Sequence, residues 1–267
     1  MEQQAKTALV IGASRGIGHA TAVKLARQGY DIAFTYHTCE EAAQATLEEI
    51  RGLGRRCFCY QAVMQEKDAP KTVVSRAIAD LGRLDALITV AGVTRHYRMA
   101  ELTAEDIDEV YACNYRAMLL CAGAAAKHMI EQKIPGNIIH IASTHAYCVY
   151  PTDQVYGGLK AAIVRSCESE ALELSQYGIR VNCVAPGMTS TRGPDTPNNL
   201  QREWFQQIPL GRCGMAGEVA DAIVFLISDE ARFITGVTLK VDGGLSLPAM
   251  PEDASPEAGY GWCRRGF

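Results

Sequence analysis

Seven short apolar runs, near residues 6–11, 31–36, 56–63, 84–90, 137–142, 179–184 and 237–241, alternate along the chain with amphipathic stretches of helical period. Within the runs the apolar residues are consecutive, as in Ala8-Leu9-Val10-Ile11 and Ala86-Leu87-Ile88. A strand of that kind buries both faces, so helices must cover both sides of a parallel sheet. The pattern predicts an α/β, single-domain doubly wound architecture over residues 1–247, with about seven parallel strands and helices on both faces. An eight-fold barrel shares this alternation, and the turn after the first strand has to decide between them. Two segments break the rhythm. Residues 188–217 are rich in Pro and Gly and read as a lid, whereas residues 248–267 form a tail ending in Tyr260, Trp262 and Phe267, expected to dock on its own or a neighbouring subunit.

The balance of charge narrows the partners. With 26 Lys and Arg against 30 Asp and Glu, and no run of five like charges, neither nucleic acid nor an anionic membrane is indicated, and a small molecule is expected instead. Met1 to Lys6 lacks the layout of a secretion signal, and the longest apolar stretch, Ala117 to Ala126, is about half a membrane span. A cytoplasmic protein is expected. The ten cysteines include no C-x-x-C pair and the six histidines no H-x-x-x-H pair, so no metal site is expected and most thiols are read as buried and reduced.

The first run leads into Gly12-Ala13-Ser14-Arg15-Gly16-Ile17-Gly18 and then a helical pattern, Ala20 to Arg27. A pyrophosphate at a helix N-terminus needs backbone N–H groups close to it, and a Cβ would obstruct that approach. A glycine-rich turn without a ligand is the plainer reading, but the position between strand one and helix one favours a dinucleotide. The spacing Gly-x-x-x-Gly-x-Gly resembles the short-chain dehydrogenase/reductase family. The resemblance covers about residues 6–245 and includes Ala91-Gly92, Asn114, Pro186-Gly187 with Thr191, and Val241-Asp242-Gly243-Gly244. The chain departs from that family at Thr89-Val90, where paired asparagines are usual, and at Ala62, where an acidic residue commonly holds the adenine.

That resemblance implies a Rossmann fold and an NAD(P)H-dependent oxidoreductase that interconverts a ketone and a secondary alcohol by hydride transfer. It assigns cofactor contacts to Gly12, Ser14, Arg15, Gly16, Ile17, Gly18, Ala91, Gly92, Asn114, Tyr156, Lys160, Pro186, Gly187, Thr189 and Thr191. It also implies a homo-oligomer, a tetramer or dimer built through helices near residues 103–131 and 155–177. The end of strand two carries Tyr36, His37 and Thr38 rather than a carboxylate that would repel a 2′-phosphate, and the resemblance to NADP-using members implies that Arg15 reaches the same phosphate. NADP(H) is therefore favoured, with NAD(H) the alternative. Thr38-Cys39-Glu40-Glu41 also reads as a capping box for the next helix.

Tyr156 and Lys160 are four apart on one helix face, a pair that alone would read as structural. Ser143 lies 13 residues upstream of the tyrosine, and with Asn114 these residues resemble the family's catalytic set. Reduction of a ketone leaves an alkoxide to protonate, and an ordinary tyrosine, titrating near pH ~10, exchanges that proton poorly at neutrality. The resemblance makes Lys160 the cation that eases the exchange, Tyr156 the general acid or base, Ser143 the hydrogen-bond partner of the substrate oxygen, and Asn114 the holder of a water leading to Lys160. Thr144 is the rival for the role of Ser143. Segments after strands four, five and six should line the substrate pocket, with Ser143, His145, Val149, Tyr150, Met188 and Trp204 as candidates and Arg95 and Arg98 as groups able to meet an anion. A sugar, a hydroxysteroid or a 3-oxoacyl compound would suit such walls. A dinucleotide-binding sensor or scaffold without catalysis is the reading from another class.

Overall fold

The computed structural model describes residues 5–191 and 208–247. Trp204, most of the expected lid and the aromatic tail lie outside the described residues. In chain order the elements are β1 (Thr7–Ile11), α1 (Gly16–Arg27), β2 (Asp31–Tyr36), α2 (Glu40–Gly52), β3 (Cys57–Gln61), α3 (Ala69–Leu81), β4 (Ala86–Thr89), α4 (Ala104–Tyr111), α5 (Ala117–Glu131), β5 (Asn137–Ile141), α6 (Gln154–Leu174), β6 (Arg180–Pro186), β7 (Thr189–Ser190), β8 (Gly214–Met215), α7 (Ala216–Ile227) and β9 (Thr238–Val241).

Seven strands form one sheet in the order β3-β2-β1-β4-β5-β6-β9, and every pairing is parallel. The sheet is open, with β3 and β9 at its edges, which excludes the barrel. Its two faces are buried by different helices, as consecutive apolar positions require. Leu9 and Ile11 of β1 point into a core with residues of α3, α5 and α6. Their neighbours Ala8 and Val10 point the other way, into a core with α1, α2 and α7. The nine described cysteines are free thiols. Cys121 and Cys183 sit wholly inside the first core, where burial pushes their thiols up to about 12 and about 11, so both behave as small apolar residues.

Two local features differ from expectation. Helix α2 begins at Glu40 with Cys39 as its N-cap and no side-chain capping bond, so the box based on Thr38 does not form. A thiol is a poor capping acceptor, and the acidic pair Glu40 and Glu41 supports the helix start through the dipole instead. Within the expected lid, Thr189 and Ser190 pair in parallel with Gly214 and Met215, a two-stranded piece too short to leave a periodic signal.

The topology fixes where a ligand can go. β1 pairs with β2 on one side and β4 on the other, so the chain's connections diverge at that point and open a crevice beyond the carboxyl ends of the strands.

Candidate active site

A cleft of about 1190 Å³ occupies that crevice. It is larger than the roughly 300–1,000 Å³ of a pocket for one small ligand, which leaves room for a dinucleotide with a second molecule beside it.

At one end the glycines of the turn after β1 shape the wall. Gly12 leaves β1 with φ +87°, in the left-handed region, and a Cβ there would lie 3.0 Å from Ala91 of the neighbouring loop. A Cβ on Gly18 would run into the Gly12 carbonyl oxygen, so only glycine lets α1 start this close to the turn. The turn is tied to β2 through Thr35, whose hydroxyl accepts from Gly12 N at 2.9 Å and whose carbonyl accepts from Ala13 N at 2.9 Å. Helix α1 starts after Arg15 with no side-chain capping bond and no acidic residue in its first turn. Helix α4, by contrast, is closed by a capping box between Thr103 and Asp106. An uncapped N-terminus on a glycine cradle suits a phosphate, because free N–H groups and the positive end of the helix dipole face it.

Gly12, Ser14, Arg15, Gly16, Ile17, Tyr36, His37, Thr38, Ala91, Gly92, Pro186, Gly187, Thr189 and Thr191 all line the cleft, and among the described residues no Asp or Glu lines it. Gly18 lies behind the turn instead of on the lining. Ala62 and Val90, the two departures that face the cleft, line it as well. Thr89 turns away, and its hydroxyl meets Nδ1 of the fully buried His140 at 2.8 Å, whose Nε2 reaches Glu170 at 2.9 Å. This internal chain occupies the position of a usual asparagine and has no counterpart in the sequence reading.

At the other end side chains do the shaping. Tyr156 and Lys160 stand one turn apart on α6, with the lysine Nζ 5.5 Å from the centre of the tyrosine ring. Lys160 is 5% exposed and donates to the carbonyl of Ile141 at 2.7 Å, which leaves further N–H donors for a ligand. Ser143 follows β5, is buried, and accepts from the N–H of His145 at 3.2 Å. Ser143, Tyr156 and Lys160 all line the cleft, as do Thr144, His145, Tyr150 and Met188. Burial pushes the Tyr150 hydroxyl up, so that phenol stays protonated, and burial likewise raises the Cys113 thiol on the cleft wall. Val149 is 98% exposed and does not line the cleft. Arg95 pairs with Glu109 at 3.3 Å and Arg98 with Glu101 at 3.7 Å, both outside the lining.

Asn114 is found in a π-helical turn, Ala112–Arg116, between α4 and α5. Such turns insert one residue and redirect a side chain. Here Oδ1 accepts from Val93 N and Nδ2 donates to Val93 O, both at 2.8 Å, so the amide pins the loop after β4 and does not line the cleft. The sequence reading did not single out Asp153, which is 4% exposed and bonded to His145. A lone Asp before a helix reads as a cap, and nothing in the sequence distinguishes the two uses. Among the described residues no group of three His, Cys, Asp or Glu could hold a metal, and no helix is long and apolar enough to cross a membrane.

Known reductases and dehydrogenases are similar to this chain over most of its length. A family model described as enoyl-(acyl carrier protein) reductase matches residues 12–246. A 3-oxoacyl-[acyl-carrier-protein] reductase, FabG, of Staphylococcus aureus is 35% identical over 243 residues, covering 91% of this chain and 98% of that protein. Among solved structures, acetoin dehydrogenase from Enterobacter cloacae has a TM-score of 0.89 at 32% identity, covering 96% of this chain and 100% of its own. A short-chain dehydrogenase from Burkholderia cenocepacia in complex with NADP has a TM-score of 0.85 at 35% identity, covering 91% and 98%. The chain belongs to the short-chain dehydrogenase/reductase family and is an NAD(P)H-dependent oxidoreductase interconverting ketones and alcohols.

Proposed function

We propose that Tyr156 exchanges the proton in this reaction, giving it to the substrate oxygen in reduction and removing it in oxidation. The observation that carries this is a phenol on the cleft wall one helical turn from a buried ammonium, with the Ser143 hydroxyl on the same wall. The positive charge of Lys160 stabilises the phenolate left once the proton has gone. Ser143 bonds the substrate oxygen as its charge changes. Asn114 acts by fixing the loop at Gly92 and Val93. Hydride donation or acceptance is the chemistry that a nicotinamide would supply when bound here. Gly12, Ser14, Gly16, Ile17 and the N-terminus of α1, with Gly18 packed beneath, would hold its phosphates, and Ala91, Gly92, Pro186, Gly187, Thr189 and Thr191 its further parts.

NADP(H) is the better fit of the two dinucleotides. Arg15, Tyr36, His37 and Thr38 line the cleft, and among the described residues no carboxylate lines it to repel a 2′-phosphate. We further read residues 1–247 as one catalytic unit. A cytoplasmic location accords with the free thiols. Assembly as a tetramer or dimer accords with exposed Ile107, Tyr111 and Leu172 on α4 and α6. The substrate is a small carbonyl compound or its alcohol. A 3-oxoacyl compound has the support of the FabG relative, an α-hydroxyketone that of the acetoin dehydrogenase, while sugars and hydroxysteroids fit the aromatic wall.

The test is a panel of ketones with NADPH and with NADH, following loss of the reduced cofactor. Turnover of at least one ketone, faster with NADPH, is expected. Equal rates with both cofactors would remove the preference, and cofactor binding without turnover of any ketone would return the reading to a sensor.

A further inference from the structure

The substrate end of the cleft contains a group that proton exchange at Tyr156 does not use. His145 Nδ1 lies 2.8 Å from Oδ2 of Asp153. The imidazole lines the cleft and the carboxylate does not, so Asp153 stands behind the ring. Its other oxygen, Oδ1, is buried without a hydrogen-bond partner, with His96 Nδ1 3.9 Å away. Burying a carboxylate is costly unless a partner repays it. Asp153 is also the N-cap residue of α6, yet its side chain makes no capping bond. The residue type best suited to cap the helix is spent on the histidine instead. The ring itself is held on two sides: Tyr150 packs on it with centroids 4.4 Å apart at 32°, and Tyr156 meets it edge-on at 5.3 Å and 84°.

A ring nitrogen that donates its N–H to a carboxylate leaves the other nitrogen of the neutral imidazole as an acceptor. That acceptor is Nε2, the nitrogen Asp153 does not engage, on a ring that lines the cleft beside the phenol. We propose that Asp153 positions His145 so that Nε2 accepts a hydrogen bond from a hydroxyl on the carbon next to the reacting one, making α-hydroxyketones and vicinal diols the preferred substrates. With the ring centroids 5.3 Å apart, the imidazole and the phenol can both reach oxygens of one small substrate. This rests on Tyr156 serving the reacting oxygen.

The experiment compares 2-hydroxycyclohexanone with cyclohexanone as substrates for reduction in the wild type, His145→Phe, Asp153→Ala and Gly157→Ala. In the last, the new Cβ would lie 2.5 Å from Asp153 Oδ2 and 3.1 Å from the His145 carbonyl oxygen, so it forces the carboxylate and imidazole apart while both side chains keep their identity. The ratio of the two kcat/KM values is read, because it is independent of how much of each preparation is folded. Wild type should favour the hydroxyketone by about ten- to a hundredfold, the range expected when a buried hydrogen-bonding group is left unmatched. All three variants should bring the ratio to near one, chiefly by raising KM for the hydroxyketone. A wild-type ratio near one, or a ratio that survives His145→Phe, overturns the proposal. Loss of the phenol's role would show differently, as turnover of both ketones by Tyr156→Phe. Should neither ketone turn over, saturation-transfer NMR on the cofactor-loaded protein makes the same comparison. Selective binding of the hydroxyketone, lost in His145→Phe, supports the proposal, and equal binding of both ketones overturns it.

Discussion

The two ends of the cleft are built from different materials. Around the turn from β1 into α1 the wall is shaped by glycines and an uncapped helix start, where a Cβ cannot be, with Arg15, Tyr36, His37 and Thr38 beside them. Around β5 and the start of α6 it consists of a buried lysine, two tyrosines, and a histidine backed by a carboxylate. A phosphate chain common to many enzymes can be held by main-chain N–H groups and a dipole. A reacting carbon needs particular side chains at fixed positions. One end can therefore be general while the other is selective, and substitutions at the two ends should fail differently.

The largest effect falls at the side-chain end. Tyr156→Phe should lower kcat by a factor of about 10³ or more while leaving cofactor affinity within about twofold, since only an interaction with the reacting oxygen is lost. Comparable losses of affinity and rate would mean that the phenol belongs to the binding end. Next, Gly18→Ala should weaken cofactor binding by about a hundredfold and cost about 1–3 kcal/mol in stability, because the added methyl forces α1 away from Gly12. Cofactor titration and denaturant melts read both, and unchanged affinity would break the account of the cradle.

Smaller still, Arg15→Ala should raise KM for NADP(H) by about tenfold with little change for NAD(H), the size of one exposed charge-assisted contact. An equal change for both would assign Arg15 to the shared phosphates. The smallest effect is a gain. Among the described residues nothing lies within 4 Å of where a Cβ on Gly158 of α6 would sit, so Gly158→Ala should stabilise the protein by up to about 1 kcal/mol. A loss of stability would show that this face of α6 is covered in the working molecule.

The same contrast decides what the sequence discloses. Steric exclusion leaves its trace in the chain, because Gly12, Gly16 and Gly18 stand at fixed intervals right after an apolar run. The seven strands were readable for a similar reason, since each buries both faces. Tyr156 and Lys160 are likewise tied by helical spacing. Asp153 was not readable: its partner is eight residues away across a loop, and before a helix an Asp ordinarily caps. Thr89, His140 and Glu170 come from three separate elements, and only the strand register brings them together. Val149 misled because proximity in sequence to Ser143 and Tyr150 does not fix the direction of a side chain in an irregular segment. The π-turn at Asn114 was hidden because one residue inserted into a helix barely disturbs its period.

If the glycine-shaped end holds the coenzyme and the side-chain end supplies the proton, the two new hydrogens of the alcohol have separate origins. The direct measurement is a single reduction in ordinary water with reduced cofactor deuterated at the transferring position of C4, followed by mass spectrometry of the product. One deuterium on the carbinol carbon, with none retained in the oxidised cofactor at that position, is the predicted result. An alcohol whose carbon-bound hydrogen comes from water would contradict the account.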